Sequence, residues 1–306
     1  TARGVTAGVE NLGAFTVSGA LDNSGQAFTN EAGGKVVFAS AGLTLSNVST
    51  YTNNGVTTIG QYPANGQDTI AATSFVNNGS LVGTGTLAGA ATNNGAIIVG
   101  STAGAFANGY SIAVTGALTN NGSIYLGTLN PSGAGATNSL TAGSISGAGT
   151  VYTTADFGSD VLNTAARANT VSANTINGGA LDITLVNTNT KKFFGTLTVA
   201  QFQNGSGFAD SAQTEAALAQ ASKGFYKYTY GATPGGQGIT QLPNAAAATA
   251  PLTQVASTIT ALNTSFFQNS SAFLGSARSP EPNHWNFGVW NRDAVSDTNI
   301  ASSSTL

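Results

Sequence analysis

Four times, at Asn53, Asn77, Asn93 and Asn120, the chain places Asn-Asn-Gly directly before a short run of mostly apolar or β-branched residues. The runs are "VTTI" after Gly55, "SLV" after Gly79, "AIIV" after Gly95 and "SIYL" after Gly122. Asn and Gly tolerate left-handed backbone angles, and an Asn amide can bond neighbouring main-chain groups, so each triplet reads as a turn feeding a strand. The four anchors are spaced by 24, 16 and 27 residues, and looser copies stand near Asp22, Ser146 and Asn177. A period near 20 residues with irregular insertions is the signature of stacked coils. The expected fold is therefore all-β, a right-handed parallel β-helix (β-solenoid) with a C-terminal cap and a linker helix. A β-sandwich also has many short strands between turns, but it does not require one turn signature to recur before similar strands.

Stacking gives the repeated asparagine a task. Like residues on successive coils lie about 4.8 Å apart, so Asn53, Asn77, Asn93 and Asn120 are expected to form a structural ladder of amide hydrogen bonds. About 200 residues at some 20 per coil would make roughly ten rungs in a rod of about 45–50 Å.

Composition narrows the function. Only 7% of the 306 residues are charged, the net charge is −3, and there is no Cys. No basic patch tracks a phosphate backbone, so nucleic acid is not an expected partner. Disulfides and thiolate metal sites are excluded, and no His or Cys cluster suggests a cofactor or metal. With 41% hydrophobic residues the chain can bury a core. No apolar run reaches the roughly 18 residues of a spanning helix. The sequence starts at Thr1 without a charged-then-apolar leader, as after removal of a signal peptide or trimming.

The organisation changes after the repeats. We expect a β-helical passenger over 1–207 and a capping segment over 208–250. In the cap, "ADSAQTEAALAQASKGF" reads as a helix with Asp210 as N-cap. A linker α-helix is expected over 251–277, with Pro251 in its first turn, Gly275 at its end, and Leu252, Val255, Ile259, Leu262, Phe266, Phe273 and Leu274 at helical spacing. In "NHWNFGVWNRDA", Trp285, Phe287 and Val289 alternate with His284, Asn286 and Gly288, as in a barrel strand facing lipid on one side.

These features together resemble a type V, classical monomeric autotransporter. The resemblance rests on an Asn/Gly/Thr-rich passenger, a cap, an uncharged amphipathic linker helix and the junction "SAFLGSARSPEPNHWNFGVWNRDA", which is similar to alphaproteobacterial members. It implies passage through an outer membrane by way of the chain's own C-terminal barrel, of which 278–306 would be the start, and an autochaperone segment that begins passenger folding. It also implies a location at the bacterial surface, in the outer membrane, or released from it. Some members cleave at an Asn-Asn pair in the linker; here Asn263 and Asn269 are separated, so the pattern departs there.

Catalysis finds few residues to work with. A glycosidase needs two carboxylates about 5–9.5 Å apart. Asp156 and Asp160, with Arg167 nearby, form the one close acidic pair in the repeats, and a solvated turn competes with a site there. A Ser-His-Asp triad would need the sole His284, which lies in the expected barrel strand. "GTGTLAG" lacks a P-loop lysine, and "GGQG" lacks the Asp of a calcium-binding repeat. Phe15, Phe28, Phe38, Phe75 and Phe106 are expected to stack inside the solenoid. Tyr51, Tyr62, Tyr110, Tyr125 and Tyr152 are candidate binding residues for glycans on an exposed face, against a half-buried role in the rod. Three functions stay open: a non-enzymatic adhesin contacting glycans, matrix proteins or sister cells; a polysaccharide-degrading lyase or glycosidase; and a stalk for an active part N-terminal to Thr1.

Overall fold

A computed structural model describes residues 8–60, 67–101, 109–130, 136–188, 190–191 and 193–275, with side chains described as far as 264 apart from 248. The chain forms two compact units, Thr1–Leu242 and Pro243–Leu306. The first is a parallel β-solenoid of about six turns.

Each turn supplies one long and one short strand. The long strands are Thr44–Asn53, Asp68–Asn77, Gly85–Asn93, Ser111–Asn120, Ser139–Ser146 and the opening part of Thr170–Val186. The short ones are Lys35–Phe38, Val56–Ile59, Ser80–Gly83, Ala96–Val99, Ser123–Tyr125 and Thr150–Asp156. Register shifts inside the long strands, as between Leu45 and Val48 or Ala88 and Ala90, bend each of them between two faces. The short strands make a third face, so each coil runs around three parallel ladders. Successive coils take between 16 and 27 residues along the asparagine column from Asn53 to Asn120. Several coils are thus longer than 20 residues, and about six turns replace the expected ten.

Alternation along each strand fills the interior with stacked columns. One column runs Phe28, Tyr51, Phe75, Ala91, Leu118, Ile145, Ile176. Another runs Val36, Thr57, Leu81, Ile97, Ile124, Val151, Leu181. Phe28, Tyr51 and Phe75 stack face to face at 5.1 and 5.2 Å, and Phe15 closes the pile edge-on at 5.1 Å from Phe28. Such pairs add about 0.5–1.5 kcal/mol each beyond the area they bury. Phe38 is also buried, and Phe106 lies outside the described residues.

At the C-terminal end the pairing changes direction. Gly195–Gln201 is parallel to the strand before it but antiparallel to Gly236–Pro243, the second arm of a hairpin begun by Tyr226–Thr233. Helix α1 (Ala212–Ala221) packs beside them with Thr214, Leu218 and Ala221 buried. Its N-cap is Ser211, whose hydroxyl accepts from Thr214 N, rather than Asp210. Asp210 still belongs to strand Asn204–Asp210, paired with Leu181, and this pairing displaces the cap by one residue.

The second unit contains α2 (Ala245–Gly275). It starts six residues before Pro251, which therefore sits inside the helix and not in its first turn. Proline removes one backbone bond there. The hydroxyls of Thr249 and Thr253 supply extra donors to the Ala245, Thr249 and Ala250 carbonyls around it. Leu252, Val255, Ile259 and Leu262 keep their helical spacing and are exposed. Among the described residues no helix is long and apolar enough to cross a membrane, which says nothing of membrane strands. The side chains of Phe266, Phe273 and Leu274, and the whole of 278–306 with His284, lie outside the described residues.

Candidate functional site

The asparagine anchors occupy the last inward position of each long strand, at the corner before the short strand. Asn53 Nδ2 donates to Asn77 Oδ1 at 2.7 Å, Asn77 to Asn93 at 2.7 Å and Asn93 to Asn120 at 2.8 Å. Two further asparagines extend the column at its start: Asn11 donates to Asn30 at 2.7 Å and Asn30 to Asn53 at 2.8 Å. Neither carries Asn-Asn-Gly, though both precede a glycine and a β-branched run, "NLGAFTV" and "NEAGGKVVF". The amides also cap main-chain carbonyls, as Asn53 does at Ser80 O and Asn77 at Ala96 O.

A second ladder, absent from the sequence reading, is made by the other asparagine of each pair. Asn121 donates to Asn94 at 3.0 Å, Asn94 to Asn78 at 2.9 Å and Asn78 to Asn54 at 2.9 Å. Its amides run opposite to the inner ladder, and its donor end meets the Glu31 carboxylate at 3.3 Å from Asn54 Nδ2. The two columns of amide dipoles are thus antiparallel, and a negative group terminates the donor end of the outer one.

The five candidate tyrosines separate. Tyr51 is fully buried, so its assignment to an exposed face is corrected. It stands two residues before the inward Asn53, and strand parity turns it into the core. Its hydroxyl bonds Thr57 Oγ1 at 2.8 Å, and Thr57 in turn donates to Asn53 Oδ1 at 3.0 Å, which ties the aromatic pile to the ladder. Burial pushes the Tyr51 phenol well above its ordinary range. Replacing it by Phe keeps the pile and deletes the bond. The expected loss is about 1 kcal/mol in denaturant unfolding; an unchanged midpoint would show that the hydroxyl does not support the ladder.

Tyr125 and Tyr152 point outward on the face of the short strands but are half-buried there, as is Tyr110. They belong to a column that reads Val37, Thr58, Val82, Ile98, Tyr125, Tyr152, Asp182. Their rings stack at 4.6 Å and 7°. One face of each ring is covered by the other, so the pair offers outward its edges and hydroxyls. With Gly127, Thr128, Thr153, Thr154 and Thr184 they line a cleft of about 360 Å³. Tyr110 lines a second cleft of about 420 Å³ with Val56, Thr58, Val82, Gly83, Gly100 and Ser101, bordering the same face. Both volumes lie in the lower part of the range of small-molecule sites. Desolvation raises the Asp182 carboxyl above its usual range, against an opposing hydrogen bond with Ser211. Tyr62 lies outside the described residues.

The acidic pair does not converge. Asp156 is completely buried; its Oδ1 accepts from Gly158 N and Asn187 Nδ2, and its Oδ2 faces Arg167 Nε at 3.4 Å. Arg167 also donates to Asn130 O at 2.8 Å. Asp160 is exposed and accepts from the Lys191 main chain. The first carboxylate holds a corner of the coil, and the second decorates a turn. Another buried acid, Asp68, accepts from Leu43 N and Gly60 N across two rungs at 2.9 and 2.6 Å. Among the described residues no group of three or more His, Cys, Asp or Glu side chains is placed to hold a metal ion.

Compared with known proteins, the chain matches no family model, no curated protein and no solved structure.

Proposed function

We propose that the chain is a surface-displayed passenger of the autotransporter type, acting as a non-enzymatic adhesin or stalk at the outer surface of a bacterium or after release from it. The observation that carries the proposal is the rung-by-rung repetition of uncharged side chains on the outside of the solenoid. On the short-strand face, Val37 to Tyr152 recur once per coil. On the neighbouring face the outward column is Thr29, Thr52, Val76, Thr92, Thr119, Ser146. Equivalent groups about 4.8 Å apart suit many weak contacts made at once, and avidity then comes from their number. The partners we propose are glycans, matrix proteins or sister cells. The clefts lined by Tyr110 and by Tyr125 with Tyr152 are where we place a sugar on this face.

The test uses the whole 306-residue chain on immobilised glycans and matrix proteins, read for retention and for released sugar. We expect saturable retention with no release. Tyr125→Ala and Tyr152→Ala should weaken retention of a glycan by roughly tenfold, the equivalent of one aromatic contact. Release of sugar overturns the proposal in favour of a polysaccharide-degrading enzyme, and retention of nothing on either kind of surface leaves the stalk as the function.

A further inference from the structure

We propose that Asn78, Asn94 and Asn121 are deamidation sites that the folded rod holds latent and that opening of a rung releases. Each is followed directly by glycine. In an Asn-Gly pair the glycine nitrogen, after losing its proton to solvent base, attacks the asparagine Cγ. A new N–Cγ bond forms, the Cγ–Nδ2 bond breaks and ammonia leaves, giving a five-membered succinimide. Water then opens either carbonyl of the ring to yield aspartate or isoaspartate. Glycine favours this route because no Cβ hinders the approach.

Solvent access does not protect these residues, because Asn78, Asn94 and Asn121 are all exposed. Hydrogen bonding protects them at both reacting atoms. The nucleophile is engaged: Gly79 N donates to Asn53 O at 2.9 Å, Gly95 N to Asn77 O at 2.9 Å and Gly122 N to Asn93 O at 3.0 Å. The electrophile is clamped: each Cγ belongs to an amide that donates to the rung below, at 2.9, 2.9 and 3.0 Å. For the ring to close, the glycine must release its bond to the previous coil while the amide turns off the ladder axis. The first event requires the rung to open, and the second adds the cost of one exposed side-chain hydrogen bond.

The product makes that opening one-way. A carboxylate at position 78 has no proton to donate to Asn54 Oδ1 and instead faces it with negative charge. A second one at position 94 would lie about 4.8 Å from the first, where like charges on stacked strands repel. Isoaspartate adds a methylene to the main chain and shifts every residue beyond it relative to the coil below. A rung that stays open long enough is therefore marked, and where isoaspartate forms it no longer re-stacks in register, which gives the rod a chemical record of its own unfolding.

The experiment ages the whole chain at mildly alkaline pH, folded and in guanidinium chloride, and maps aspartate and isoaspartate by peptide mass spectrometry. At Asn78 and Asn94 the folded chain should convert at least about 100-fold more slowly than the denatured chain, as expected for a reaction gated by rare local opening. The variant Asn54→Ala removes the acceptor of the Asn78 amide at a position that is not in the core. It should speed conversion at Asn78 about fivefold, the worth of one hydrogen bond, and leave Asn121 unchanged. Equal rates in folded and denatured chains would overturn the latency. An unchanged Asn78 rate in the Asn54→Ala variant would overturn the role of the ladder in it.

Discussion

Asn77→Ala is expected to remove about 3–5 kcal/mol from the stability of the solenoid, whereas Asn78→Ala, one residue away, should cost less than about 1 kcal/mol. Asn77 is fully buried and Asn78 is exposed. The Asn77 amide donates to Asn93 Oδ1 at 2.7 Å and Ala96 O at 2.9 Å, and its own oxygen receives Asn53 Nδ2 at 2.7 Å. Truncation leaves Asn93 and Ala96 each short of a donor, and Asn53 short of an acceptor, inside the rod. Buried groups left unpaired cost about 1–3 kcal/mol apiece, more than the net worth of the bonds they had formed. Asn78 loses comparable bonds to Asn54 and Asn94, but water replaces them. Denaturant titration of both variants decides the point. Equal losses would mean that the inner column is no more than a solvated ladder.

A coiled β-fold follows from the Asn-Asn-Gly period alone, and the spacings of 24, 16 and 27 between anchors are the sequence separations of the bonded ladder. What escaped was parity and what lies on the next rung. Once the ladder is known to point inward, Tyr51 must point inward too, because Tyr51-Thr52-Asn53 reads buried, half-buried, buried. Tyr125 follows the inward Ile124 and must point out. The inward ladder thus sorts Tyr51 from Tyr125 by strand parity alone. The bonding of Asn54, Asn78, Asn94 and Asn121 to one another does not follow from parity, because a residue at the turn belongs to neither face of a strand. Nor does sequence separation reveal that Asp156 is buried against Arg167 while Asp160, four residues on, is in solvent.

The glycine of each triplet makes the largest departure, and it carries the second large effect: Gly95→Ala should destabilise the rod by at least about 3 kcal/mol. Read as turn chemistry, this glycine would be needed for a left-handed backbone. Yet Gly55, Gly79, Gly95 and Gly122 are absent from the positive-φ positions. Their constraint comes from the rung below. A Cβ at Gly95 would lie 2.1 Å from Gly79 O, one at Gly79 2.0 Å from Gly55 O, and one at Gly122 2.1 Å from Gly95 O. The obstacle is main chain in each case, held by the same glycine one coil earlier, so no side-chain rotation relieves it. Relief would require the rungs to part at the corner where both asparagine ladders run, and one methyl group would therefore disturb two columns of hydrogen bonds. At Gly231 an added Cβ meets nothing within 4 Å, and Gly231→Ala should be neutral or stabilising by about 0.5 kcal/mol through the unfolded chain. For a unit of this size the first change corresponds to a fall of at least about 6 °C in melting temperature and the second to a shift of no more than about 2 °C. Equal melting temperatures for the two variants would show that the corner can widen. The triplet's glycine would then have to be explained by the turn after all.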